Sequence, residues 1–133
     1  MSDMVNKLLE LDLPEPETMK VHLPRLGLTV TLREVGFDRV MKDRAEAKDA
    51  TLFYLLDAIQ APDFRDDAWF RVKMGCPTPV EAVKKLLRPG EIERLARAAD
   101  VLNGYGTGSV VPVTPQEAEA AATAVAVGEL EKN

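Results

Sequence analysis

Only a few residues in this chain have the types and spacing that chemistry needs. "LNGYGTG", residues 102–108, carries glycines at three alternate positions. Such a loop cradles phosphate when it follows a strand and opens a helix, because the helix N-terminus then faces the anion. Here the glycines follow a helical pattern instead. Gly104 stands where a left-handed C-terminal cap belongs, and the carbonyl end of a helix dipole repels phosphate. No Lys-Ser or Lys-Thr pair accompanies the loop. The stretch therefore reads as the end of a folded domain.

Cys76 and His22 are single examples of their kinds. A zinc site needs more thiolate or imidazole ligands than the chain owns. A Cys–His nucleophile pair is also disfavoured, since His22 falls mid-strand and Cys76 directly precedes Pro77. "DFRDD" (63–67) offers Asp63, Asp66 and Asp67 but lacks the alternating ligands and central glycine of a calcium loop. These carboxylates read as helix caps. Any two of the 22 acidic residues could meet in the fold, yet nothing in the sequence singles out a pair. No catalytic, cofactor-binding or metal-ligating residue is expected, and neither is a small-molecule substrate.

The elements that would position any site begin with "DMVNKLLELDL" (3–13). Met4, Leu8 and Leu11 recur at helical spacing with Val5 and Leu9 beside them. Pro14 and Pro16 then stop the helix. Residues 1–17 thus form an amphipathic arm on a Pro/Glu linker. Either the arm packs back on its own domain, or Met4, Val5, Leu8, Leu9 and Leu11 bind a partner groove.

"TMKVHLPRLGLTVTLREV" (18–35) alternates twice around Pro24 and Gly27, the pattern of a β-hairpin. A lone hairpin is marginal in water, so its apolar face needs helices or another subunit. Its edges invite pairing, and self-association is expected. From Phe37 the period becomes helical. "FDRVMKDRAEAKD" (37–49) is charged, and Asp49 is placed to cap "ATLFYLLDAIQA" (50–61), the most apolar and hence central helix. "AWFRVKM" (68–74) follows a turn, with Asp66 or Asp67 as its cap. In "CPTPVEAVKKLL" (76–87), Thr78, Pro79 and Glu81 suit N-cap, N1 and N3. A last helix starts at Pro89 and runs to Gly104. The expected core is Leu52, Leu55, Leu56, Ile59, Ile92, Leu95 and Leu102.

The fold class expected is α+β, mainly α: one hairpin, then a compact bundle of about five short helices over residues 18–104. Residues 105–133 read as a linker and an Ala/Glu-rich tail, flexible or weakly helical.

The chain of 133 residues suits one such domain, and 46% of it is hydrophobic. Its net charge of −5 is uneven. In residues 1–19, Lys7 faces five acids. Residues 105–133 pair Lys132 with four acids, so the body between the two acidic ends is nearly neutral. Nucleic-acid binding would need a concentrated basic footprint, and is not expected. A protein partner is. A single cysteine forms no internal disulfide, which suits a reducing cytoplasm. No stretch approaches the length of a membrane span, and the acidic N-terminus is not a signal peptide.

Three segments, taken in order, resemble one family. They are "RLGLTVTLREV" (25–35), "LLDAIQAPDFRDD" (55–67) and "GCPTPVEAVKKLLRPGEIERLARAADVLNGYG" (75–106). The wording is similar to the XkdN-like tail assembly chaperones of long-tailed bacteriophages and prophages. The most specific element is "KKLLRPGEIERLARAADVLNG", with Leu87, Pro89, Gly90, Glu91, Leu95, Leu102, Asn103 and Gly104 in the family's pattern. The likeness covers roughly residues 19–105. It implies a non-enzymatic protein of the bacterial cytoplasm, absent from the mature virion. It also implies binding of the tape measure protein, kept soluble until the tail tube forms around it, with the major tail protein as a further partner. It transfers no binding residue. The alternative is a small structural or adaptor protein of a phage tail.

Overall fold

The computed structural model describes residues 3–116. The elements run α1 (Asp3–Glu10), β1 (Thr18–Leu23), β2 (Leu28–Arg33), α2 (Phe37–Arg44), α3 (Ala50–Ala58) and β3 (Ile59–Ala61). A π-helical segment (Ala68–Lys73), α4 (Pro79–Leu86) and α5 (Pro89–Leu102) follow. This is an α+β fold, mainly helical, with the expected hairpin and five helical segments after it. The expected tail at 117–133 lies outside the described residues.

The hairpin forms where the alternation places it. β1 pairs antiparallel with β2, with Leu23 opposite Leu28 and Val21 opposite Val30. Two turn hydrogen bonds close the loop, Leu26 N–H to Leu23 O and Gly27 N–H to Pro24 O. Gly27 sits at φ +60, a conformation in which a Cβ is strained. The face carrying Leu23, Val30 and Leu32 is buried against the helices.

The sequence expects the helix from 50 to continue through 61. Instead α3 stops at Ala58, and Ile59–Ala61 adds a third strand to β2, in the order β1-β2-β3. Only one edge of β2 is therefore paired by the hairpin, and β3 covers the other. Ile59 is still buried, so its apolarity serves strand and helix alike. The Ala61–Pro62 peptide after it is cis.

The main core gathers Val30, Leu32, Leu52, Leu55, Leu56, Ile59, Leu95 and Leu102 with Val80, Val83 and Leu87. Leu55 and Leu32 are fully enclosed. Ile92, expected in the core, is only partly buried at its margin. It sits near the start of α5, packed against the edge of the core. Six of the nine residues of α3 are buried, which makes it the central helix.

Local signals hold at most helix ends. The Thr78 hydroxyl accepts the Glu81 N–H at 3.2 Å, and Pro79 opens α4. Gly104 takes φ +86. Tyr105 N–H then bonds Asp100 O while Gly104 N–H bonds Val101 O, the double closure of a Schellman end. Asp49 differs from expectation. It precedes α3 in a left-handed conformation (φ +60), and its side chain makes no cap bond. Its carboxylate accepts Lys84 Nζ at 2.9 Å instead, tying α3 to α4.

Candidate partner-binding surface

The residues weighed for chemistry make local contacts. His22 lies on the exposed side of β1, with Nδ1 3.2 Å from Thr29 Oγ1. Cys76 is buried beside Phe70 and Ala82, and its Sγ lies 3.5 Å from Met74 O. Asp63 accepts Arg65 N–H at 3.0 Å, and Asp66 accepts Ala68 N–H at 2.8 Å. Both belong to an exposed turn that starts the π-helical segment. A cleft of about 450 Å³ opens beside this turn, floored by Leu28, Phe64, Trp69 and Leu86. Among the described residues no three His, Cys, Asp or Glu side chains group as metal ligands, and no helix is long and apolar enough to cross a membrane.

Sequence reasoning missed a carboxylate pair. Asp43 on α2 and Asp57 on α3 are both buried and close enough that each carboxyl shifts the other. Asp57 also accepts Arg65 Nη2 at 2.8 Å and lies 3.6 Å from Arg39 Nε. Burial, then the hydrogen bond and the negative charge of Asp57, push Asp43 up to about 7, against the pull of Arg39 and Lys42. Burial also raises Asp57, but the bonds from Asp43 and Arg65 and the Arg39 charge outweigh it and hold Asp57 below the usual carboxylate range. Asp43 Oδ2 has no hydrogen-bond partner among the described residues. The pair sets a raised carboxyl on α2 against a lowered one on α3. No sequence signal reveals it, because its members are 14 residues apart on separate helices.

The predicted arm residues stand together on α1. None of its residues is buried. Met4 is 83% exposed, Leu8 68% and Leu9 73%, and Leu11 just beyond the helix is exposed too. Val5 is the least exposed of the set, at 39%. The linker from Leu11 to Glu17 is exposed along its length. Glu17 O anchors it by accepting Glu34 N–H at 3.1 Å, beside the end of β2.

A second apolar surface lies on α2, and the sequence reading passed over it. Phe37, Met41 and Arg44 recur at i, i+4 and i+7, so they share one face of the helix. Phe37 is 76% exposed, and Met41 is exposed. The Arg44 guanidinium lies 4.6 Å from the centre of the Tyr105 ring, which extends the stripe toward the end of α5. The basic side chains of Arg39, Lys42 and Arg44 are exposed around it. The signal was present as "FDRVM", but the density of charge hid two apolar residues one turn apart.

The segments that carry the family likeness meet in space. Arg25 from the hairpin turn donates to Glu91 of α5 at 2.7 and 3.2 Å and to Leu86 O at 2.8 Å. Glu91 also accepts Arg88 N–H at 2.7 Å, so one carboxylate starts α5 and docks the hairpin on it. At the other end Asn103 accepts Val35 N–H at 2.7 Å and donates to the Tyr54 hydroxyl at 2.8 Å.

No family model and no curated protein matches this chain. Solved structures do. The crystal structure of protein YqbN, a structural genomics target, is 17% identical over 71% of this chain and 90% of its own, with a TM-score of 0.56. The bacteriophage HK97 tail assembly chaperone is 21% identical over 77% of this chain and 95% of its own, with a TM-score of 0.45. The likeness to YqbN shows the fold: a hairpin and short-helix body of this kind exists in a crystal structure.

Proposed function

We propose that this protein is a tail assembly chaperone of a long-tailed phage or prophage. It binds the tape measure protein and keeps it soluble in the host cytoplasm while the tail tube assembles. It is a binding protein and not an enzyme, and it leaves before the virion matures. One observation carries the reading. The segments that resemble the family form a single body: Arg25–Glu91 and Asn103–Val35 fasten 25–35 to 75–106, and Arg33 Nε donates to Asp57 O at 3.2 Å to join 25–35 to 55–67. The motif is therefore a structural unit and not a chance string of helix-forming residues. The exposed apolar face of α1 adds what a holdase for a long helical client needs, an accessible amphipathic surface on a tether.

Co-expression with the tape measure protein of the same phage or prophage tests the proposal. The full chain should raise the soluble fraction of that client severalfold, and no rise overturns the chaperone reading. Removing residues 1–14 should leave the melting temperature unchanged and lower client solubility. A truncated chain that still keeps the client soluble moves the client surface from α1 to the helical body. Stoichiometric protein in purified virions points instead to a structural tail component.

A further inference from the structure

We infer that the stripe on α2 formed by Phe37 and Met41 is a docking site for helix α1 of a second copy of this chain. Three observations carry it independently of any client. The first is the state of α1. An isolated helix of eight residues is marginal in water, because nucleation costs more than so few hydrogen bonds return. Its apolar face of Met4, Leu8 and Leu9 is exposed, so a packed face is what a stable α1 requires.

The second is complementarity. Both helices carry apolar residues at i and i+4, Met4 and Leu8 on one and Phe37 and Met41 on the other. Their flanks are opposite in charge. Residues 1–19 set Asp3, Glu10, Asp12, Glu15 and Glu17 against one lysine, while α2 presents Arg39, Lys42 and Arg44 against one exposed acid, Asp38. An antiparallel crossing places Asp3 near Arg44 and Glu10 near Arg39. It also opposes the two macrodipoles favourably.

The third is the tether. The bond from Glu34 N–H to Glu17 O holds the base of the linker three residues before α2 begins. Seven residues, 11–17, span at most about 25 Å. Pro14 and Pro16 stiffen that span and bias Leu13 and Glu15 to extended conformations, so the linker projects the arm outward. Folding the arm back on its own α2 needs a reversal that this linker resists. A neighbour's α2 needs none. Reciprocal exchange of arms makes a closed dimer, and one-way exchange makes a chain of subunits.

Disulfide trapping tests this in protein free of client. A chain carrying Leu8→Cys is mixed with a mass-tagged chain carrying Met41→Cys or Phe37→Cys under mild oxidation. Val72→Cys, on another exposed surface, serves as the control. The mixed disulfide should form at least about tenfold faster with the α2 cysteines than with the control. A rate equal to the control overturns the site. Leu8→Cys and Met41→Cys placed in one chain should yield linked dimers at twice the chain mass. An internally linked monomer as the main product overturns the second copy in favour of the chain's own arm. Replacing Lys42 and Arg44 with Glu should slow trapping about tenfold at low salt, since it reverses the attraction. An unchanged rate overturns the charge argument. None of these outcomes depends on whether a tape measure protein is the client.

Discussion

α1 and α3 are nearly equal in length, eight and nine residues, and both are rich in leucine. Their fates are opposite. α3 buries six residues and is clasped by the sheet, α2, α4 and α5. α1 buries none. The difference lies in distribution. α3 is apolar on nearly every side, so only a position inside the body satisfies it. α1 concentrates its apolar residues on one face and acids on the other, so it suits an interface that can open and close. The body holds its shape through α3, and the apolar face of the arm stays uncovered.

The comparison breaks first at Leu55. Its side chain is fully enclosed, so Leu55→Ala removes buried contacts and leaves a cavity, at a cost of about 3–5 kcal/mol. Chemical denaturation measures this, and a loss under about 1 kcal/mol would show that α3 is not central. Asn103 comes next. Asn103→Ala deletes its bonds to Val35 N–H and the Tyr54 hydroxyl and strands both partners, at about 1–3 kcal/mol. Equal stability of the variant would mean that Asn103 does not fasten Val35 and Tyr54 to the end of α5.

Asp43 sharpens the comparison through pH. Its folded pKa, about 7, lies above the ordinary carboxylate value, so the folded state holds a proton that the unfolded state has lost. The unfolded chain binds fewer protons between about pH 4 and 7, so stability falls as pH rises through that window. Asp43→Asn keeps a donor to Asp57 without the charge. It should flatten this slope and gain on the order of 1 kcal/mol at pH 8. Thermal melts from pH 4 to 8 read the slope directly, and an unchanged slope in the variant would assign it to other groups. The smallest effect belongs to the arm: removal of residues 1–14 should move the melting temperature by less than about 2 °C. A larger fall would mean that α1 contributes to stability, either in its own body or on a neighbouring copy.

Much of the fold was legible because it is local. Alternation over 18–33 gave both strands, and Thr78–Pro79 and Gly104 marked their helix ends, since each signal acts within a few residues. Ile59 shows the limit. A buried isoleucine fits a helix face and a strand equally, and only the free edge of β2 selects the strand. The arm residues Met4, Val5, Leu8, Leu9 and Leu11 were legible as a set from their spacing. The α2 stripe was not, because two apolar residues among charges carry no period by themselves.

The sequence alone determined the two hairpin strands, the existence of the main helices, the start of α4 and the end of α5, and that α1 is amphipathic. Those properties follow from backbone sterics, side-chain period and capping, all of short range. Tertiary structure decided what joins them. It sent the Asp49 carboxylate to Lys84, paired Arg25 with Glu91 across 66 residues, and closed Asp43 against Asp57. These contacts depend on which surfaces meet once the core has collapsed, and burial then fixes the protonation that no linear pattern records.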